Sequence, residues 1–215
     1  MLHTVIFDLD GTLIDTMDLI VASWQHCTEV HCGAPIPREA VLPTIGLPLV
    51  PALEAYAPGK GELLYATYQE HNHAWHDRLA HLVPGTREML EQLQTAGVAL
   101  GLVSSKRHGI LEMGLNLHKL GPYFGAVIGL EDTARHKPFP DPLLCALEHL
   151  GRAPHPDHVA YVGDAASDLA AAQAAGVRPI GVPWGATAAA ELRAAGANPL
   201  LAGWDDLIAL AEAPA

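Results

Sequence analysis

Five short apolar runs, alternating with segments of helical periodicity, constrain most tightly what this chain can fold into. They occupy residues 5–7, 98–103, 126–129, 159–162 and 179–182. Their positions are apolar in succession rather than by turns, as in strands covered on both faces. Helical stretches at residues 86–96, 108–115, 141–150, 167–175, 187–195 and 204–211 separate or follow them. Such alternation predicts an α/β fold: a doubly wound parallel sheet with right-handed crossovers and helices on both faces.

Residues 15–82 interrupt that rhythm and read as helix only. An amphipathic segment runs from Asp15 to about Val30, and Gly33-Ala34-Pro35-Ile36-Pro37 breaks it. A short helix over 38–42, a turn over 44–48 with a helix after it, and a long helix over 60–79 follow. This stretch is too long for a loop inside a compact domain. The expected division is therefore a Rossmann-like core of residues 1–15 and 83–215 with an inserted α-helical cap of residues 16–82. The insert leaves and rejoins the core beside the end of the first strand, where a cap could act as a lid.

The first strand runs directly into Asp8-Leu9-Asp10-Gly11. In an open α/β sheet the carboxyl ends of the strands are where ligands bind. Two carboxylates this close repel unless a proton or cation lies between them. Magnesium, a hard cation that takes oxygen ligands and keeps several waters, is the simple answer. Asp-Gly is also a common hairpin turn, but no alternating strand follows Gly11, and residues 14–24 look helical instead.

Three later segments supply partners that a turn would not need. The second strand ends in Ser104-Ser105-Lys106, a small hydroxyl followed by free amides at a helix start. The loop after the third strand carries Lys137-Pro138; the proline keeps the lysine out of the next helix, free to present a point charge. The fourth strand ends in Gly163-Asp164, with Asp168 in the first turn of the following helix. Neighbouring strands lie ~4.8 Å apart, so three adjacent strand ends span roughly 10 Å, room for a phosphoryl group and one hydrated metal.

Charge narrows the partners. The chain has 24 acidic and 12 basic residues, a net charge of −12, which disfavours nucleic acid and anionic membranes. A small anionic substrate therefore needs a local positive pocket. No apolar run reaches the ~18 residues of a membrane span, and the chain opens on a strand rather than a leader, so a cytoplasmic location is expected. Cys27, Cys32 and Cys145 make an odd count with no C-x-x-C, so no disulfide framework is expected. The 13 histidines are scattered, and His71, His73 and His76 form their one notable cluster.

Phe7-Asp8-Leu9-Asp10-Gly11-Thr12-Leu13, Ser104 with Lys106, Lys137-Pro138, and Gly163-Asp164 through Asp168 together resemble the four motifs of the haloacid dehalogenase-like hydrolase superfamily. The spelling is nearest its phosphoglycolate phosphatase-like branch, and the helical insert is similar to the family's first-type cap. The resemblance implies a magnesium-dependent phosphatase of a small phosphorylated metabolite, of the phosphoglycolate, sugar phosphate or nucleotide type. Asp8 would be the nucleophile that forms an aspartyl-phosphate, and Asp10 the acid and then base. Magnesium would be held by Asp8, the backbone carbonyl of Asp10, and Asp164, with Asp168 in support. Ser104, Ser105 and Lys137 would hold the phosphoryl oxygens. A carboxylate at Asp10 sets the chain apart from the family's dehalogenases and phosphonatases. In the cap, Tyr68, His71 and Arg78 are candidates for substrate contact, with Lys60, Tyr65, His73 and His76 behind them. Two other readings stand beside the phosphatase: a phosphoglucomutase-type transfer on the same fold, and an idle relative used for binding or regulation. A monomer or a homodimer is expected.

Overall fold

The computed structural model describes residues 1–212. Its centre is a five-stranded sheet built from β1 (Thr4–Phe7), β4 (Ala99–Val103), β5 (Ala126–Ile128), β6 (Val159–Gly163) and β7 (Arg178–Gly181). The order is β5-β4-β1-β6-β7, and every pairing is parallel. The chain builds outward from β1 to β4 and β5, then returns to lay β6 and β7 on the other side. Both neighbours of β1 thus diverge there, which makes its carboxyl end the switch point of the sheet.

The succession of apolar residues in these strands has its reason in the packing. Val5 and Phe7 face one buried cluster with Leu100, Leu102, Ala160 and Val162, under α5 (Thr86–Thr95), α6 (His108–Leu117) and α10 (Trp204–Glu212). Ile6 faces the other with Val103, Val159 and Tyr161, under α7 (Asp141–His149) and α8 (Ala166–Ala175). Phe7 is fully buried, a contribution of roughly 1.5–3 kcal/mol from its side chain. A short helix, α9 (Ala189–Ala194), precedes α10. The register aligns the strand ends: Phe7 lies opposite Leu102 on one side and Val162 on the other. Asp8, Ser104 and Asp164 therefore emerge at nearly one level.

Residues between the first strand and α5 form α1 (Met17–Cys32), α2 (Arg38–Val41), α3 (Leu49–Tyr56) and α4 (Gly61–Leu79). They enclose a third cluster of their own, in which Trp24, Cys27, Leu53, Leu64 and Tyr68 are buried. The segment is not helix throughout. β2 (Ile14–Asp15) pairs antiparallel with β3 (His81–Leu82), so both connections to the core run side by side as a two-stranded ribbon. Helical periodicity from residue 14 concealed this, because two residues are too few to show a strand pattern. Asp15 ends the ribbon: its Oδ1 accepts a hydrogen bond from the Met17 amide at the start of α1.

The three cysteines are free thiols, and burial pushes the Cys27 thiol up to about 12. No helix among the described residues is long and apolar enough to cross a membrane.

Candidate active site

Asp8 follows the last residue of β1, and its carboxylate is buried. Its Oδ1 accepts a hydrogen bond from Lys137 Nζ at 3.0 Å. The same ammonium donates to Asp168 Oδ1 at 2.7 Å and to the Tyr161 hydroxyl at 3.1 Å. All three donors of the lysine are thereby used. Its side chain is only 1% exposed, so it lies behind Asp8 rather than in the open site. The Lys137-Pro138 peptide is cis.

Asp168 Oδ2 accepts from the Ala165 amide, and Tyr161 donates to Asp168 Oδ1 or to the Val103 carbonyl. Asp168 is thus fixed by α8, β6 and Lys137 together. Asp164 accepts from the Ala186 amide at 2.7 Å and from the Thr12 hydroxyl at 3.4 Å. Gly11 brings the loop after β1 this close. Its φ of +72° suits glycine, and a Cβ there would collide with the Asp164 carboxylate.

Asp8, Asp164 and Asp168 each offer an oxygen, and these three atoms lie within 4.8 Å of one another. Three buried carboxylates here face the single ammonium of Lys137. The imbalance shows in the acids. Burial, then Asp168 and Asp10, push Asp8 up to about 7 against the pull of Lys137. Burial, Asp168 and Asp8 hold Asp164 well above the usual carboxylate range. Burial would lower Lys137, but Asp168 and Asp8 outweigh it and hold the ammonium well above its usual range. A hard divalent cation would cancel the excess negative charge, and an all-oxygen donor set suits one. The cluster therefore fits a metal, with Asp8 and Asp164 as the carboxylates whose oxygens are least committed.

Asp10 stands two residues on. Its Oδ1 accepts from Thr16 Oγ1 and from Lys106 Nζ, both at 2.6 Å. No protein group among the described residues bonds its Oδ2. The Lys106 contact was not foreseen from the sequence, where the lysine figured only as part of a motif. Tyr161 was missed as well, because an apolar strand gave no sign that its hydroxyl would reach the site.

Asp8 and Asp10 lie at the base of a cavity of about 280 Å³ between the sheet and the helical insert. Ser104, Ser105 and Lys106 line its core side. The Ser104 hydroxyl accepts from the Lys106 amide, and Ser104 lines the cavity along with Asp8 and Asp10. The Ser105 hydroxyl donates to the Gly46 carbonyl at 2.8 Å and ties the core loop to the insert. Of the insert's candidates, Tyr68 lines the cavity, with Tyr65, Gln69 and Asn72 beside it. His71 and Arg78 do not. His71 bonds Ser23 and stacks on His26, while Arg78 lies over Trp75. They sit on the same helix as Tyr68, but its turn points them elsewhere. His76 is buried against Asp77, and His73 is exposed, so the histidine cluster gathers no metal set.

The family model of the haloacid dehalogenase-like hydrolases matches residues 5–182. A Caldanaerobacter subterraneus protein assigned as pyrophosphatase PpaX is 41% identical over 180 residues, covering 84% of this chain and 81% of that protein. The pyrophosphatase PpaX of Bacillus velezensis is 37% identical over 204 residues, covering 95% and 94%. A crystal structure from Bacteroides fragilis, assigned as a haloacid dehalogenase-like hydrolase, superposes with a TM-score of 0.88 at 28% identity, covering 96% and 100%. The match spans every strand of the sheet and both aspartates of the first loop, and on that ground the chain belongs to the haloacid dehalogenase-like hydrolases.

Proposed function

We propose that this chain is a magnesium-dependent phosphatase of a small phosphorylated metabolite and works through an aspartyl-phosphate on Asp8. One observation carries the reading. Asp8 is at the cavity base with Oδ1 tied to Lys137 and, among the described residues, no partner on Oδ2, beside an Asp10 whose own Oδ2 has none among them either.

Asp8 Oδ2 attacks phosphorus, and the bond to the leaving oxygen breaks. Asp10 Oδ2 gives its proton to that oxygen, then takes one from the water that attacks phosphorus of the acyl phosphate, whose bond to Asp8 Oδ2 breaks to release inorganic phosphate and the free carboxylate. Thr16 and Lys106 hold Asp10 in place for both steps. Ser104 and the amides that follow it receive the phosphoryl oxygens, and Lys137 offsets charge from behind. A magnesium ion held by Asp8, Asp164 and the Asp10 carbonyl, with Asp168 in support, would supply neutralisation of the phosphoryl charge. Positioning and charge neutralisation provide most of the catalysis in phosphoryl transfer, and this inventory matches that need. The helical insert covers the cavity and would limit which leaving groups enter.

The test is phosphate release from a panel containing pyrophosphate, 2-phosphoglycolate, sugar phosphates, nucleotides and p-nitrophenyl phosphate, with and without chelator. Chelator-sensitive release supports the proposal. An isomerised sugar phosphate without free phosphate would favour a mutase, and complete inertness an idle relative. The names of the relatives put pyrophosphate first on the panel.

The metal has a second readout in stability. Asp8 binds a proton more tightly in the folded chain than in the unfolded one. Without metal its contribution is complete below about pH 4 and is lost as pH rises through about 7. Magnesium should therefore raise the melting temperature more above that window than below it. At ~100 times Kd the gain is about 2.7 kcal/mol. Melting curves near pH 5 and pH 8 check this; a larger shift at the lower pH would contradict it.

A further inference from the structure

The basic side chains around the cavity are distributed unevenly. The chain is strongly acidic, yet among the described residues only Asp8 and Asp10 bring carboxylates to the cavity lining, and the insert brings no charged side chain to it. The core contributes Lys106, Arg107 and His136. Lys106 uses one N–H on Asp10 and has two left. Arg107 has no carboxylate partner among the described residues. Its guanidinium lies 5.7 Å from the centre of the Tyr65 ring, so it reaches from the core to the insert. Its five donors, set in a fork, can bind two oxygens of a carboxylate or a phosphate at once.

Asp10 is the group that meets the leaving oxygen in the phosphatase reading. A cation bonded to Asp10 is therefore close to the first atoms of the leaving group. A bare alkyl leaving group would give these two cations nothing to bind. A leaving group with its own negative charge would.

We propose that Lys106 and Arg107 form an anion subsite on the leaving-group side of the cavity, selecting substrates with a second anionic group within a few bonds of the scissile one. Inorganic pyrophosphate and short phosphorylated carboxylates share that chemistry. The inference rests on the phosphatase reading and narrows its substrate class. Arg107 is the residue to test, because Lys106 also holds Asp10. Arg107 is exposed, so its replacement is not expected to disturb the fold.

Two measurements are made on the full chain and on Arg107→Leu and Arg107→Lys. The first compares kcat/KM for pyrophosphate and 2-phosphoglycolate with that for p-nitrophenyl phosphate, which has no second anion. In Arg107→Leu the ratio for the preferred two-anion substrate should fall about tenfold or more, mostly through KM, and Arg107→Lys should restore part of it. Which ratio falls further separates a phosphate from a carboxylate as the second anion. The second measurement is calorimetric binding of imidodiphosphate against inorganic phosphate at fixed magnesium, which needs no turnover. Arg107→Leu should weaken the first about tenfold and leave the preference for it over phosphate correspondingly reduced. Unchanged ratios in both measurements would overturn the subsite. If the wild-type chain releases no phosphate from any substrate, the phosphatase reading fails, and the binding experiment still decides the subsite.

Discussion

Asp8→Asn is expected to lower turnover by about ten-thousandfold or more, equivalent to ~5.5 kcal/mol of barrier. The amide keeps the shape of the side chain and an oxygen that can accept from Lys137, but it is a poor nucleophile for phosphorus. The fold should survive and could gain stability, because one of three crowded buried carboxylates is removed. Single-turnover phosphate release and a thermal melt of the same preparation separate the two effects. Wild-type rates in freshly purified variant, with deamidation excluded by mass spectrometry, would refute the nucleophile assignment.

Lys137→Met has the next largest expected effect, and it acts on both stability and rate. The ammonium touches Asp8, Asp168 and Tyr161, and among the described residues no other cation pairs with the carboxylates behind the cavity. Removing one partner of a buried charge cluster typically costs 3–5 kcal/mol, roughly, since the remaining charges are left uncompensated. The melting temperature should fall accordingly, and raising magnesium should recover part of the fall. The value of kcat/KM should drop by orders of magnitude. A loss below about tenfold, ~1.4 kcal/mol, would mean that the lysine serves the fold and not the chemistry.

The parallel sheet was legible in the sequence because its central strands are buried on both faces and apolar along most of their length, as Val5, Ile6 and Phe7 show. The convergence of Asp8, Ser104 and Asp164 was legible for a related reason. Each directly follows an apolar run or ends one residue beyond it, and parallel strands in register bring such ends together. Other features left no pattern to read. The ribbon of Ile14–Asp15 with His81–Leu82 is too short for any period. Tyr161 occupies a strand position that any apolar residue could fill, and only the fold reveals what its hydroxyl meets. Lys106 and Ser105 are adjacent, but one turns to Asp10 and the other to Gly46, a choice made by backbone direction. On α4, helical spacing could not say which of Tyr68, His71 and Arg78 faces the cavity, since that depends on how α4 lies on α1.

The ribbon has a consequence for how such a chain can be rebuilt. Because β2 and β3 are antiparallel neighbours, everything between them departs from and returns to one spot. Partners in an antiparallel pair lie about 5 Å apart, a gap that a tight turn can bridge. Excising residues 16–80 and splicing Asp15 to His81 through two glycines is therefore expected to keep the order of the five parallel strands. Asp8 would then stand open to bulk solvent, with Asp164 and Asp168 still gathered beside it.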